Sequence, residues 1–129
     1  MRVDVQPDPA KRGYRVLPFG PIDSDTYVEF QDKLKPLLSA QTQNLLIDLS
    51  RVDYISSAGL GVLFTTKKFL IGNGGELYFC NLKPQIAKLF EVVKALPKET
   101  LFQSNEEADQ YFYKIMNDEI NRQKGIEPA

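Results

Sequence analysis

The chain has 129 residues, enough for one compact domain with a real core and too few for two ordinary ones. Its 43% hydrophobic and 26% charged residues argue against global disorder, and 16 Lys and Arg against 17 Asp and Glu leave a formal net charge of -1, without the basic excess that a nucleic-acid binder usually carries. Histidine is absent and Cys80 is the only cysteine, which removes Ser-His-Asp and Cys-His catalysis, intrachain disulfides and the usual zinc ligand sets.

In chain order, residues 2–6 alternate weakly and read as a short edge strand stopped by Pro7-Asp8-Pro9. Residues 13–19 (GYRVLPF) form the returning strand, with Pro18 marking an edge or a bulge, and Gly20-Pro21 turns the chain. Thr26 and Glu29 have the spacing of a capping box, which predicts a helix over residues 26–38 with Tyr27, Phe30, Leu34 and Leu37 on one face. The apolar run 44–49 (NLLIDL) fits a strand covered on both faces. A loop through Arg51-Val52-Asp53 then leads by Tyr54-Ile55 into Ser56-Ser57-Ala58-Gly59.

A helix over residues 57–71 follows, with Leu60, Leu63, Phe64, Leu70 and Ile71 as its apolar stripe and Lys67 as a mismatch within it. Val62, Thr65, Thr66 and Phe69 fall on the opposite face, which either packs on a neighbouring helix or, with Phe69 exposed, suits docking. Gly72-Asn73-Gly74-Gly75 stops the helix. Residues 76–80 are a second buried strand, in which Cys80 reads as a small buried hydrophobe. Pro84 opens a helix carrying Ile86, Leu89, Phe90, Val93 and Leu96 on one face, and Pro97 ends it. Leu101-Phe102 reads as a last short strand. A second capping box, Ser104 and Glu107, opens a final helix with Ala108, Tyr111, Phe112, Ile115 and Met116 on one side.

Strands alternating with helices predict an α/β fold: a single domain over residues 1–122, a central mixed sheet of four to five strands covered by about four helices, and a flexible tail over 123–129. The N-terminus lacks the apolar core of a signal peptide, and the longest strongly apolar stretch, Leu60 to Phe64, is far too short to span a bilayer, so the expected location is the cytoplasm without membrane insertion.

The informative segment is LIDLSRVDYISSAGLG, residues 46–61, where a buried strand ends and two serines open a helix. Sites in open α/β sheets lie at the carboxyl ends of strands, and helix N-termini expose unpaired N–H groups with positive partial charge. Ser56 or Ser57 can cap the helix and do no more, or one of them can be a modifiable hydroxyl. Gly59 and Gly61 each cost a helix about 1 kcal/mol against alanine, which points to a close approach by a neighbouring strand or by a partner. Neither GxxxxGK[ST] nor GxGxxG is present. Asp25 and Asp53 read as solvated loop charges or caps, and an enzyme would rest on carboxylates such as Asp23 and Asp48 alone, so no enzyme, cofactor or metal site is expected.

The segments LLIDLS (residues 45–50) and VDYISSAGLGVL (52–63) resemble the STAS domain family, the sulfate-transporter and anti-sigma-factor-antagonist domains. Gly20-Pro21-Ile22-Asp23 with Thr26, Gly74 to Leu77, and Pro84 to Phe90 fit the same family, so the resemblance covers about residues 13–113. In the bacterial anti-sigma-factor antagonists the central motif is Asp-Ser-x-Gly-Leu-Gly, whose serine is phosphorylated by a kinase that is also the anti-sigma factor. By position Ser57 is that serine, Ala58 the variable residue, Gly59-Leu60-Gly61 the direct match and Asp23 the bordering acid; Ser56 stands where the family carries Asp.

The resemblance implies a phosphorylation-gated binding module that regulates transcription. It would hold an anti-sigma factor/serine kinase while Ser57 is unmodified and release it on phosphorylation, with a serine phosphatase as the reset. The implied partner surface comprises Asp23, Ser56, Ser57, Ala58, Gly59, Leu60, Gly61, Val62, Thr65 and Phe69. The alternative is a STAS scaffold that never switches, in a sensory or membrane-associated assembly.

Overall fold

The computed structural model describes residues 1–96 and 104–125. Among these residues four strands, β1 (Val3–Asp8), β2 (Gly13–Pro18), β3 (Asn44–Asp48) and β4 (Glu76–Cys80), form one sheet in that order. β1 and β2 are an antiparallel hairpin, while β2–β3 and β3–β4 are parallel pairs. The helices are α1 (Tyr27–Leu34), α2 (Ser57–Gly72), α3 (Pro84–Ala95) and α4 (Asn105–Gln123). The predicted mixed α/β sheet with helical cover is therefore the observed one, and the short strand expected at Leu101-Phe102 lies outside the described residues.

β1 continues through Pro7 and Asp8, paired with Tyr14 and Gly13, because an edge strand tolerates proline. Pro18 falls beyond the last β2–β3 pair, Val16 with Ile47, and so interrupts no parallel ladder. α1 is shorter than the 26–38 prediction: Pro36 tightens its end into a 3-10 turn over Lys35–Leu37. α4 runs to Gln123, and Gly125 at φ 76° follows it; residues 126–129 of the expected tail lie outside the described residues.

Both parallel crossovers, β2-α1-β3 and β3-α2-β4, step in the same direction along the sheet. Right-handed crossovers then put both helices on the same face. Phe30 and Leu34 of α1, Leu63 and Leu70 of α2, Ile86 and Leu89 of α3, and Phe112 and Met116 of α4 accordingly join one core. That core packs on Val16, Leu45, Ile47 and Leu77, which share one sheet face by the period-2 alternation of strands. The opposite face carries Arg15, Leu46 and Tyr78, and Tyr78 is half exposed. This corrects the expectation that residues 44–49 and 76–80 are covered on both faces. Cys80 is only half-buried for the same reason.

α2 is rotated from its predicted setting. Its buried residues are Gly59, Leu60, Val62, Leu63, Thr66 and Leu70, whereas Phe64 (53%) and Ile71 (52%) are exposed. Thr66 survives in the core because its hydroxyl donates to the Val62 carbonyl one turn back, at 2.8 Å. Lys67, the apparent mismatch, lies outside the buried stripe and faces Glu76 at 3.8 Å. In α4, Ala108, Phe112 and Met116 are buried as predicted, but Tyr111 is exposed.

Candidate functional site

The loop after β3 is fastened to the segment before α1. Gly20 donates to the Arg51 carbonyl (3.0 Å), Ile22 to Tyr54 (3.0 Å), and Ser56 to Ile22 (2.9 Å), with a parallel bridge between Ile22 and Ile55. Ile22 and Ile55 are both fully buried. This staple brings Asp23, Tyr54 and the start of α2 together.

Asp23 shapes its side of the site. Its carboxylate accepts from the backbone N–H of Asp25 (2.9 Å) and of Thr26 (3.2 Å). The Thr26 hydroxyl accepts from the Asp23 N–H (2.9 Å) and donates to the Pro21 carbonyl (2.7 Å). Thr26 is therefore committed to the turn and makes no side-chain cap to α1, and Glu29 pairs instead with the N-terminal ammonium. The predicted Thr26–Glu29 capping box does not form. The Ser104 hydroxyl does accept from the Glu107 N–H at 3.1 Å, as that box requires.

The two serines at α2 divide the possible roles between them. Ser56 is the N-cap: it is buried, extended at φ -86° and ψ 175°, and its hydroxyl accepts from the Gly59 N–H at 3.3 Å. Ser57 is the first helical residue and is half-buried. Its backbone N–H donates to Asp109 of α4 at 2.7 Å. Its hydroxyl has no hydrogen-bond partner among the described residues.

The two glycines also separate. A Cβ on Gly59 would sit 2.5 Å from the Ile22 carbonyl oxygen, 2.9 Å from Ile22 Cγ2 and 3.0 Å from Ile55 Cγ2. Only glycine lets α2 press this closely against the staple. A Cβ on Gly61 would meet nothing within 4 Å.

Of the partner-surface residues expected from the sequence, Ser56, Gly59, Leu60 and Val62 are buried within the chain. They form the floor of the site rather than its surface. Asp23, Ser57 and Ala58 are half-buried, and Gly61, Thr65 and Phe69 are exposed. Phe64, expected in the core, adds apolar surface beside Thr65.

Sequence reasoning missed Asp109, Tyr54 and Tyr113. The Tyr54 and Tyr113 rings stand 6.2 Å apart, tilted by 59°. Burial pushes the Tyr54 phenol up from its ordinary value, helped by the negative charges of Asp109 and Asp23. α2 has no acidic residue in its own first turn, so Asp109 supplies the anion that a helix N-terminus favours. The available sign was a carboxylate three and seven residues before Phe112 and Met116, bordering the apolar stripe of α4.

Asp48 lies apart from this site, on the open face of the sheet by strand alternation. It accepts from the Arg15 guanidinium (2.8 Å), the Asn81 amide (3.0 Å) and the Ser50 N–H (2.9 Å). Burial alone would raise its pKa, but these hydrogen bonds win and hold it at about 2, against 3.8 ordinarily. A folded-state value below the unfolded one means stability present above pH ~4 and lost as pH falls toward 2. Asp48→Asn is expected to cost about 2 kcal/mol at neutral pH and to flatten that part of the pH profile. Urea unfolding at a series of pH values measures both. The acid–base pair considered from the sequence is thus not assembled: Asp48 is engaged elsewhere, and Asp25 and Asp53 are exposed.

An apolar groove of about 350 Å³ lies between α2, β4 and α3, with Phe64, Phe79 and Phe90 among its walls. No helix among the described residues is long and apolar enough to cross a membrane.

A one-sided mixed sheet, its helices on one face and a serine at the start of the helix after β3, defines an α/β domain of two layers. The STAS domain family profile matches residues 11–108, and the chain belongs to that family. It is similar to the anti-sigma-B factor antagonist of Staphylococcus aureus, at 30% identity over 92 residues, covering 71% of this chain and 85% of that one. Its fold matches the structure of the anti-sigma factor antagonist SpoIIAA in its unphosphorylated form, with TM-score 0.59 and 17% identity, covering 97% of this chain and 100% of that one. It likewise matches the Bacillus cell fate determinant SpoIIAA in the phosphorylated form, with TM-score 0.59 and 16% identity, covering 85% and 98%.

Proposed function

We propose that this chain is an anti-sigma-factor antagonist. Its surface around Ser57 docks onto an anti-sigma factor that is also a serine kinase, and phosphorylation of Ser57 releases that partner. The observation that carries this reading is the division of labour at α2. Ser56 supplies the cap, so the Ser57 hydroxyl is left at the helix start without a structural task. The similarity to an anti-sigma-B factor antagonist supports the same role.

The mechanism follows from charge. Unmodified, Ser57 offers a small neutral hydroxyl among Ala58, Gly61, Thr65 and Phe69, with Phe64 adjoining and Asp23 at the border. A phosphate adds about -1.5 to -2 charges at neutral pH. A partner surface shaped for the hydroxyl would then bury an uncompensated dianion, and the complex dissociates. A phosphatase restores the docking form. The chain acts by binding and performs no catalysis of its own.

Phosphorylation is tested with the anti-sigma kinase of the same host and Mg-ATP. Intact mass is expected to rise by one phosphate in the wild type and not in Ser57→Ala. A wild type that gains no phosphate, there or in its own host, sinks the gating and favours a STAS scaffold that never switches.

A further inference from the structure

Asp109 lies 52 residues from Ser57 in sequence, yet its Oδ1 takes the Ser57 N–H at 2.7 Å. It is an anion already seated at the N-terminus of α2, delivered by α4. The next N–H along that is capped, at Gly59, is occupied by the buried Ser56 hydroxyl. Beside this tie the Tyr54 and Tyr113 rings meet, so the first turns of α4 are joined to the site at two points. Interleaved with these two ties, Ala108 and Phe112 pack in the core, and Met116 continues the same stripe one turn on.

We propose that a phosphate on Ser57 and the Asp109 carboxylate compete for the N-terminus of α2, so that phosphorylation unfastens the first turns of α4. The inference rests on the reading of Ser57 as a modified residue. A phosphoryl group on Oγ of the first helical residue lies within a few ångströms of that residue's own N–H. Its charge exceeds that of one carboxylate, and the helix end favours the stronger anion. Asp109 repels the newcomer but is itself displaceable, because its tie to Ser57 is one side-chain hydrogen bond from a helix that is not part of the staple. Modification therefore changes the shape of the Tyr54–Tyr113 rim as well as the charge at Ser57. Asp109 acts here as a positioning residue, holding the start of α2 from α4.

The test needs no kinase. Phosphoserine is placed at position 57 during translation, in the full chain and in its Asp109→Asn variant, and amide hydrogen exchange is followed over residues 106–112. With Asp109 present, exchange there is expected to speed up about tenfold on phosphorylation. In Asp109→Asn, which keeps an oxygen for the Ser57 N–H but no charge, the same amides are expected to stay protected with and without phosphate. Equal acceleration in both chains, no acceleration in either, or loss of protection in unmodified Asp109→Asn would overturn the inference. None of these results bears on whether the host phosphorylates Ser57. Conversely, a Ser57 that no kinase modifies would sink the proposed function while the coupling remained measurable.

Discussion

A Ser57→Asp chain is expected to bind its anti-sigma partner at least about tenfold more weakly than the wild type, because losing about 2–5 kcal/mol of interface energy spans tens to thousands of fold. Ser57→Ala is expected to bind within about threefold of wild type, since a methyl group fits wherever the hydroxyl is not hydrogen-bonded. Both variants are expected to fold. The cap belongs to Ser56, so neither substitution removes it. An acidic residue in the first turn of a helix is favoured by its dipole, and the nearby Asp109 offsets part of that gain. Titration calorimetry against the partner, with thermal unfolding of each variant alongside, separates a surface effect from a folding effect. Aspartate that binds as tightly as serine removes charge gating as the mechanism.

The second large effect is at Gly59. Gly59→Ala is expected to destabilise the domain by about 2–3 kcal/mol, as overpacking against atoms that cannot rotate away does. The nearest of those atoms is a backbone carbonyl, that of Ile22, at 2.5 Å from the added carbon. Gly61→Ala, two residues on, should do the opposite: with open space around it, alanine gains up to about 1 kcal/mol of helix propensity. The same alanine adds bulk to the proposed docking surface and is expected to weaken partner binding. Thermal unfolding and binding measured on both variants therefore give crossed results. Equal destabilisation by the two would show that the close approach of α2 to Ile22 is not what glycine serves.

The element order was legible because turn signals and apolar runs agree along the chain, and so was the helix that opens at Ser57. The setting of α2 was not. That helix is apolar nearly all round, so Leu60, Leu63, Phe64, Leu70 and Ile71 make as good a stripe on paper as the true one. The true stripe includes a threonine whose hydroxyl is satisfied inside its own helix, which periodicity counts as polar. The one-sided sheet was hidden for a related reason: Leu46 is apolar yet faces away from the helices. At Thr26, spacing suggested a cap, but Asp23 and Pro21 are nearer partners for its hydroxyl. Asp109 reaches its partner across the tertiary fold, so its place beside the apolar stripe of α4 could mark the residue but not the contact.

The bridge between Ile22 and Ile55 has a consequence for how a partner is met. With three backbone hydrogen bonds beside it, the loop before α2 is an annex of the sheet and not a tether. Its ordering entropy is already spent during folding, before any encounter. A partner thus meets a finished floor, and association there is rigid-body docking with little conformational toll. Whatever switching the surface undergoes must be written around that floor, in the charge at Ser57, the side chains around it and the α4 turns tied to it.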